Sequence, residues 1–146
     1  MHLTTFSDYT LRTLMYLTLR PDRLCTIDEI AVAYDISTHH LTKVVHQAAV
    51  AGEVATVRGQ GGGLRLARQP EAINVGAILR RTERDLAITP CFGAAAACAI
   101  QPACILQRAL GEALEAFLSV LDRLTLADLV RPKQHLSELL KLEPVV

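Results

Sequence analysis

Three of the four cysteines in this 146-residue chain lie in one short segment, at Cys91, Cys98 and Cys104. The spacer that follows Cys91 is rich in Gly and Ala, a composition typical of a loop that folds closely around something. Three thiolates in such a loop suit a soft metal ion or an iron–sulfur cluster. Alternatively, they are small buried hydrophobic residues, as free cysteines often are. Because only Cys25 lies elsewhere, the grouping favours a metal or cluster site.

The last of these cysteines lies where a helix is expected to begin. Pro102-Ala103-Cys104 is typical of a first helical turn, where proline is well tolerated. A helix N-terminus carries partial positive charge and free N–H groups, and it therefore favours a thiolate over a thiol. We predict that Cys104 lies in the first turn of a helix that stabilises its thiolate.

The overall composition describes a folded chain of the size of one domain, with 51% hydrophobic residues and a formal net charge of zero. Neutrality argues against a chain that binds nucleic acid through its total charge. The charge is unevenly placed, however, because residues 37–68 hold four Lys or Arg side chains against Glu53 alone. This excess is either a solvated face or a basic surface for nucleic acid.

The sequence contains no sign of a membrane protein. No charge-free apolar run approaches the roughly 18 residues that a membrane-spanning helix needs, and the N-terminus lacks the basic-then-apolar pattern of a secretory signal. We therefore expect a cytoplasmic protein with no membrane partner. In that compartment, grouped cysteines more often bind metal or do redox chemistry than form disulfides.

Residues 26–51 have the pattern of a helix-turn-helix. Thr26 followed by Glu29 is a capping box that opens a short helix. A tight Asp35-Ile36-Ser37 connection leads to a second helix, in which Ser37 is the expected cap and the apolar positions face inward. Such a motif places the outward face of its second helix in the major groove of DNA. The residues predicted to bind DNA there are Ser37, Thr38, His39, His40 and Lys43.

A basic-tipped β-hairpin is predicted directly after this motif. Val54–Val57 and Leu64–Leu66 have strand patterns, and the turn between them is rich in glycine. A helix-turn-helix followed at once by such a hairpin is a winged helix, whose arginines reach a phosphate or a narrow minor groove. The rival interpretation, a nucleotide-phosphate loop, lacks the Lys-Ser/Thr of that motif and precedes a strand instead of a helix. The predicted DNA-binding residues of the wing are Arg58, Gln60, Gly61 and Arg65.

The longest predicted helix, over residues 102–124, carries two apolar stripes. One stripe can cover the core of the chain, and the other needs a partner, for which a second copy of the chain is the simplest supplier. The alternative is a helix packed on both sides within one domain. The predicted dimer seam follows alternating steps of four and three residues through Leu106, Leu110, Ala113, Phe117, Val120 and Leu124.

These elements predict a mainly α fold with a small β-hairpin wing, in which a winged helix-turn-helix is followed by a long C-terminal dimerisation helix. The expected organisation is a DNA-binding domain over 1–84, a cysteine loop over 85–105, the dimerisation helix and a short following helix over 102–131, and a loosely held tail over 132–146.

Several stretches of the chain together resemble one known family. The stretches are Leu3–Arg12, Arg58–Leu66, the three grouped cysteines and Thr125–Val130. In combination they are similar to the bacterial nitric-oxide-sensing repressors of the winged-helix iron–sulfur regulator family, over residues 1 to about 130. Cluster-homeostasis regulators of the same family have a histidine three residues after the third cysteine, where this chain has Gln107.

The resemblance implies a homodimer that binds a palindromic operator in double-stranded DNA and releases it when nitric oxide damages an iron–sulfur cluster. It implies that Cys91, Cys98 and Cys104 hold the cluster, and that Asp8 of the other subunit is the fourth ligand, as in at least some family members. A 4Fe–4S cluster is favoured and a 2Fe–2S cluster is possible on this reasoning. The first helix alone favours a different interpretation, in which Asp8 is a carboxylate at a helix start that the helix dipole stabilises.

Three other functions remain open from the residues alone. A related regulator would sense iron or cluster supply, and a second would hold structural zinc on the three cysteines together with Asp8 or a histidine. The third is a small redox enzyme or metal carrier. Against it stands the absence of a Cys-x-x-Cys pair and of a base placed to activate a cysteine, so we expect a protein that is not an enzyme.

Overall fold

The computed structural model describes residues 2–93 and 98–142 of the chain. The fold is mainly α with one two-stranded antiparallel hairpin, which confirms the predicted fold class. No helix in the described residues combines the length and apolarity that a membrane span requires. In chain order, the elements are α1 (Thr5–Leu19), α2 (Ile27–Tyr34), α3 (Thr38–Val50), β1 (Val54–Val57), β2 (Gly63–Leu66), α4 (Val75–Thr82), α5 (Ile105–Asp122), α6 (Leu126–Leu129) and α7 (Lys133–Leu139).

The first helix, α1, is the centre of the core, and it packs against α3, α4, α6 and β2. It begins where the side chain of Thr4 accepts a hydrogen bond from the Ser7 amide, at 3.2 Å. Leu14 is fully buried within it, together with Ile30 of α2 and Leu41 of α3. Since each such side chain contributes about 1.5–3 kcal/mol when fully buried, this cluster holds the helix-turn-helix in one orientation.

The turn between α2 and α3 forms much as the sequence indicates. Thr26 accepts a hydrogen bond from the Glu29 amide at 3.2 Å and caps α2. The helix ends at Asp35, whose positive φ of 54° is the left-handed conformation that stops a helix. Ser37 occupies the position that precedes α3, but its side chain makes no capping hydrogen bond, so the predicted cap is wrong in that detail.

The hairpin pairs Val54 with Leu66 and Val57 with Gly63. On its other edge, β2 is bridged by Cys25, whose amide donates to the Leu64 carbonyl at 2.9 Å and whose carbonyl accepts from the Leu64 amide at 2.7 Å. At the tip, Gly62 approaches the chain so closely that a Cβ there would collide with the carbonyl of Val57. The segment that precedes α2 therefore holds the wing along the outer edge of β2.

The long helix α5 begins at Ile105 and ends at Asp122, and the predicted bounds of 102 and 124 are therefore wrong at both ends. Residues Gln101–Ala103 form a separate short 3-10 turn that contains the proline. Cys104 follows it in an extended conformation, with φ −75° and ψ 104°, so the helical path is interrupted there. Cys104 is consequently the residue that caps α5 and not a member of its first turn.

The C-terminal segment contains more regular structure than a loosely held tail would. Helix α7 occupies Lys133–Leu139, and both Leu140 and Leu142 pack against the hydrophobic core. The apolar side chains that follow the helix explain this arrangement, because they bury surface that a free tail would leave in water. Residues 143–146 of the predicted tail lie outside the described residues.

Candidate functional site

Cys91 lies in a short 3-10 turn, Pro90–Phe92, on the connection between α4 and α5. Its side chain is half-buried, and its Sγ lies 2.9 Å from the hydroxyl of Thr89. A hydrogen bond to sulfur is one of the features by which a protein tunes a bound cluster. The immediate surroundings of Cys91 are thus polar and reachable, as a ligand requires.

Cys104 is held at the start of α5 and is linked to Cys91 through Gln107. The Sγ of Cys104 accepts a hydrogen bond from the Gln107 amide at 3.3 Å, so a helix N–H does point at this sulfur, as predicted for a helix start. The side-chain amide of the same Gln107 donates to the carbonyl of Cys91 at 2.9 Å. One residue of α5 therefore contacts two of the three cysteines.

The third cysteine of the group, Cys98, is exposed. The part of the loop between Gly93 and Cys98 lies outside the described residues, and among those described no three His, Cys, Asp or Glu side chains are arranged to hold a metal ion. The single chain thus brings Cys91 and Cys104 near one residue but does not complete a site. The donor chemistry fits a cluster, because three thiols lie close together in the sequence, the Cys104 sulfur accepts an amide N–H and the Cys91 sulfur shares a hydrogen bond with the Thr89 hydroxyl.

Asp8 faces outward from the first turn of α1, where Arg12 binds it through two contacts. The Nε atom donates to one carboxylate oxygen at 3.0 Å, and Nη2 lies 3.0 Å from the other. The Arg12 guanidinium also lies over the ring of Tyr34, 5.8 Å from its centroid. Both members of the pair are about two-fifths exposed, so the pair contributes at most about 1 kcal/mol, and its carboxylate is available to a stronger partner.

Cys25 is separate from this site and belongs to the core. It is fully buried, and burial, followed by the nearby Glu29 carboxylate, raises the pKa of its thiol to about 11. At neutral pH it is therefore a thiol and a poor nucleophile or ligand.

The second helix of the helix-turn-helix, α3, presents one apolar and one polar face. Its buried positions are Leu41, Val44, Val45 and Ala48. The residues that were predicted to contact DNA at this helix all have exposed side chains: Ser37, Thr38, His39, His40 and Lys43. Helical periodicity explains the separation, because positions three and four residues apart share a face.

The wing exposes each of its predicted DNA-binding residues, namely Arg58, Gln60, Gly61 and Arg65. The turn between the strands is tight, since the Gly62 amide donates to the Gly59 carbonyl at 3.0 Å. Gly59 and Gly61 have positive φ values of 96° and 75°, which glycine adopts without strain. The wing follows α3 directly in the sequence, and both the wing and the polar face of α3 are exposed, as a winged helix requires.

Of the two apolar stripes expected on α5, one is buried at Leu118 and half-buried at Leu114 and Leu121, and the other is more exposed. Leu118, which is 4% exposed, is the buried residue of the helix, and α5 packs against α4. On the other stripe Leu106 is 66% exposed, Val120 48% and Phe117 37%. Of the remaining predicted seam residues, Ala113 is exposed and Leu110 and Leu124 are half-buried.

Sequence reasoning missed three side chains around the cysteines and Asp8. Gln107 drew attention only because it occupies a position where related regulators have a histidine, although its side chain donates a hydrogen bond to the Cys91 carbonyl. Thr89 was not considered, and its proximity to Cys91 in the chain was the only available signal. Arg12 lies four residues after Asp8, and that spacing on a helix predicts the observed ion pair.

Comparison with known proteins places this geometry in a family. The model described as "Rrf2: Iron-dependent Transcriptional regulator" matches residues 3–132. The chain is 47% identical to the HTH-type transcriptional regulator NsrR of Bacillus subtilis, over 98% of this chain and 99% of that protein. It is 44% identical to the NsrR of Halalkalibacterium halodurans, over 99% and 100% of the two chains.

Solved structures agree with this assignment. CymR, the global cysteine regulator of B. subtilis, matches 88% of this chain and 95% of its own, with a TM-score of 0.72 at 25% identity. The winged-helix arrangement, the family match over most of the chain and the full-length relatives together give one conclusion: the chain belongs to the Rrf2 family of transcriptional regulators and binds DNA through its winged helix.

Proposed function

We propose that this regulator is a homodimeric repressor that releases operator DNA when nitric oxide damages an iron–sulfur cluster. Cys91, Cys98 and Cys104 would hold the cluster, and Asp8 of the second copy would supply the fourth ligand. The observation that carries the proposal is the convergence of Cys91 and Cys104 on Gln107 at the start of α5. The similarity to full-length relatives named NsrR supports the same function.

The residues around the cysteines suit this task. Gln107 holds Cys91 and Cys104 at the N-terminus of α5, where helix N–H groups favour thiolates. Cys98 follows an alanine-rich stretch of the sequence and is exposed, so it is reachable from outside. When bound, the cluster would supply an iron whose oxygen ligand is weaker than its three sulfur ligands and can be displaced by a small diatomic molecule.

Asp8 would link the cluster to the DNA-binding domain. In the single chain its carboxylate binds Arg12, which lies over Tyr34 at the end of α2. Because both members of the Asp8–Arg12 pair are about two-fifths exposed, the carboxylate can leave it at a cost of about 1 kcal/mol or less. Coordination by Asp8 of the partner would then hold two subunits in one relative position, and that position sets the spacing of two recognition helices on a palindrome.

Anaerobic purification tests the cluster. We expect a brown protein with visible absorbance, and iron and sulfide counts that distinguish 4Fe–4S from 2Fe–2S. Cys91→Ala, Cys98→Ala and Cys104→Ala should each abolish the colour, whereas Cys25→Ala, the matched control, should keep it. A colourless protein that contains zinc would support a structural zinc site instead, and a colourless but folded Cys25→Ala variant would contradict the ligand assignment.

DNA-binding measurements distinguish nitric oxide from iron supply as the signal. The holo protein should bind an inverted-repeat duplex and lose that binding on addition of nitric oxide at unchanged iron supply. Loss of binding on iron chelation but not with nitric oxide would identify a regulator of iron or cluster supply.

The rate of reaction with nitric oxide, followed by absorbance, tests Asp8. Asp8→Ala should react faster than the wild type and Asp8→Cys more slowly; equal rates would exclude Asp8 as a ligand.

A further inference from the structure

The junction between the DNA-binding domain and α5 is built from polar contacts that fix one geometry. We define the α4–α5 junction by Asn74, Gly76 and Arg80 on the α4 side and Asp122 at the end of α5. Helix α4 belongs firmly to the core, since Ile78 and Leu79 are each 1% exposed. Within α5 itself, Leu118 is the buried residue. The junction is therefore a major constraint on the direction in which α5 leaves the domain.

Asn74 holds both helices at once. Its side-chain oxygen accepts a hydrogen bond from the Ala77 amide at 2.9 Å and caps α4. Its side-chain nitrogen donates to the carbonyls of Asp122 and Leu124, at 2.7 and 3.3 Å. Beside it, the backbone runs as an isolated antiparallel bridge to Thr125. The start of α4 and the end of α5 are thus bonded to each other through main chain and side chain.

A two-point ion pair completes the junction. Arg80 contacts both oxygens of the Asp122 carboxylate, through Nη1 and, at 2.8 Å, through Nη2. Gly76 lies directly beneath this pair, and a Cβ there would collide with the carboxylate of Asp122 and come within 3.0 Å of Arg80 Nη1. The φ of Gly76 is not positive, so an added Cβ would conflict with the space around it and not with its conformation, and the Asp122 and Arg80 side chains would have to shift to admit it.

We propose that the α4–α5 junction determines which operator half-site spacing the dimer accepts, with Gly76, Arg80 and Asp122 as the positioning residues. The inference rests on the proposed dimerisation through α5. A helix of 18 residues is about 27 Å long, so a tilt of about 7° at its fixed end moves its far end by roughly one base-pair rise of 3.4 Å. A two-fold dimer transmits such a change to the separation of its recognition helices.

The test uses the full chain in its purified holo form and an inverted-repeat duplex selected from a random pool with the wild type. Binding is measured to that duplex and to versions with one base pair added or removed at the centre. The wild type should prefer the selected spacing by about tenfold or more, since misplaced base contacts typically cost about 1–3 kcal/mol each. Gly76→Ala, Arg80→Gln and Asp122→Asn should shift that optimum or reduce the preference to about threefold or less.

Matched controls separate positioning from general damage. Gly111→Ala adds the same methyl group to α5 at a place where the nearest atom is 3.6 Å away, on Phe92, and Glu112→Gln removes an exposed carboxylate from the same helix. Both should keep the spacing preference. Gly76→Ala combined with Asp122→Ala should behave as Asp122→Ala alone, because the carboxylate that the added Cβ meets is gone and Arg80 is no longer held beside it.

The outcomes are distinguishable. Variants that remain folded dimers by circular dichroism and light scattering, yet keep the wild-type optimum and preference, overturn the positioning role. If Gly76→Ala fails to fold, Arg80→Gln and Asp122→Asn decide the question, because their pair is about two-fifths exposed and its loss leaves the core intact. A wild type that is monomeric or selects no inverted repeat overturns the proposed dimeric function, and this inference with it.

Discussion

Val120→Lys should separate the proposed homodimer without damaging the single chain. Val120 lies on the exposed stripe of α5 near the C-terminal end of the helix and is 48% exposed. In an isolated chain the substitution is harmless or mildly stabilising. Lysine is a better helix former than valine, and a cation near a helix C-terminus gains about 0.3–1 kcal/mol from the dipole. The substitution should therefore weaken only the association of the two chains.

The size of that cost follows from the exposed fraction. Full burial of a valine contributes about 1.5 kcal/mol, so roughly 0.7 kcal/mol of Val120 burial remains for a partner. In a two-fold dimer the residue occurs twice, which gives about 1.4 kcal/mol, or tenfold in Kd. Desolvation of two ammonium groups adds at least as much again. We therefore expect the dimer Kd to rise by about a hundredfold or more.

Sedimentation equilibrium over a wide concentration range measures this change. Ser119→Lys is the control, because it adds the same charge one residue earlier, on an exposed position that helical periodicity turns away from the seam. The control should dimerise like the wild type. At concentrations low enough for all three proteins to be monomeric, both variants should melt at the wild-type temperature. If Val120→Lys dimerises within about threefold of the wild type, the exposed stripe of α5 is not the interface.

Three further predictions concern the cysteines and the wing. In cluster-free protein, iodoacetamide should alkylate Cys98 rapidly and Cys25 only after unfolding or near pH 11. The reason is that burial raises the pKa of the Cys25 thiol to about 11, which leaves about one thiolate in a thousand at pH 8. Equal labelling of the two cysteines by mass spectrometry would contradict the burial of Cys25. Arg58→Gln should weaken DNA binding across sequences and lower the salt slope by about one unit; altered sequence preference at constant slope would make Arg58 a base reader. Gln107→Leu removes the hydrogen bond to Cys91, worth about 1 kcal/mol, and should speed cluster loss to a chelator about fivefold; an unchanged rate would show that Gln107 does not support the site.

The exposed and buried faces of α3 were predictable because helical periodicity is local. The alternation of apolar and polar positions in α3 fixed which side chains are exposed before any tertiary contact was known. The same reasoning located the two strands of the wing and the cap of α2. The cap of α3 by Ser37 failed, because the presence of a hydroxyl in the right position does not fix its rotamer.

The start of α5 was misjudged for a related reason. Pro102 is compatible with the first turn of an α-helix and equally with the 3-10 turn that it occupies. The choice depends on where the chain must go next, and Cys104 breaks the helical path so that its sulfur accepts the Gln107 amide. In the C-terminal segment, α7 was missed although Pro132 precedes a run of good helix formers, and the packing of Leu140 and Leu142 on the core supports it.

The sequence by itself determined the grouping of three cysteines, the exposed faces of the winged helix and the two stripes of α5, because each depends on residues a few positions apart. Only the tertiary structure decided that Cys25 pairs with Leu64, that Gln107 reaches Cys91, and that Gly76 lies beneath Asp122. These contacts join residues between 16 and 46 positions apart. No local periodicity encodes such a contact, since it forms only when the packing of the whole core brings its two segments together.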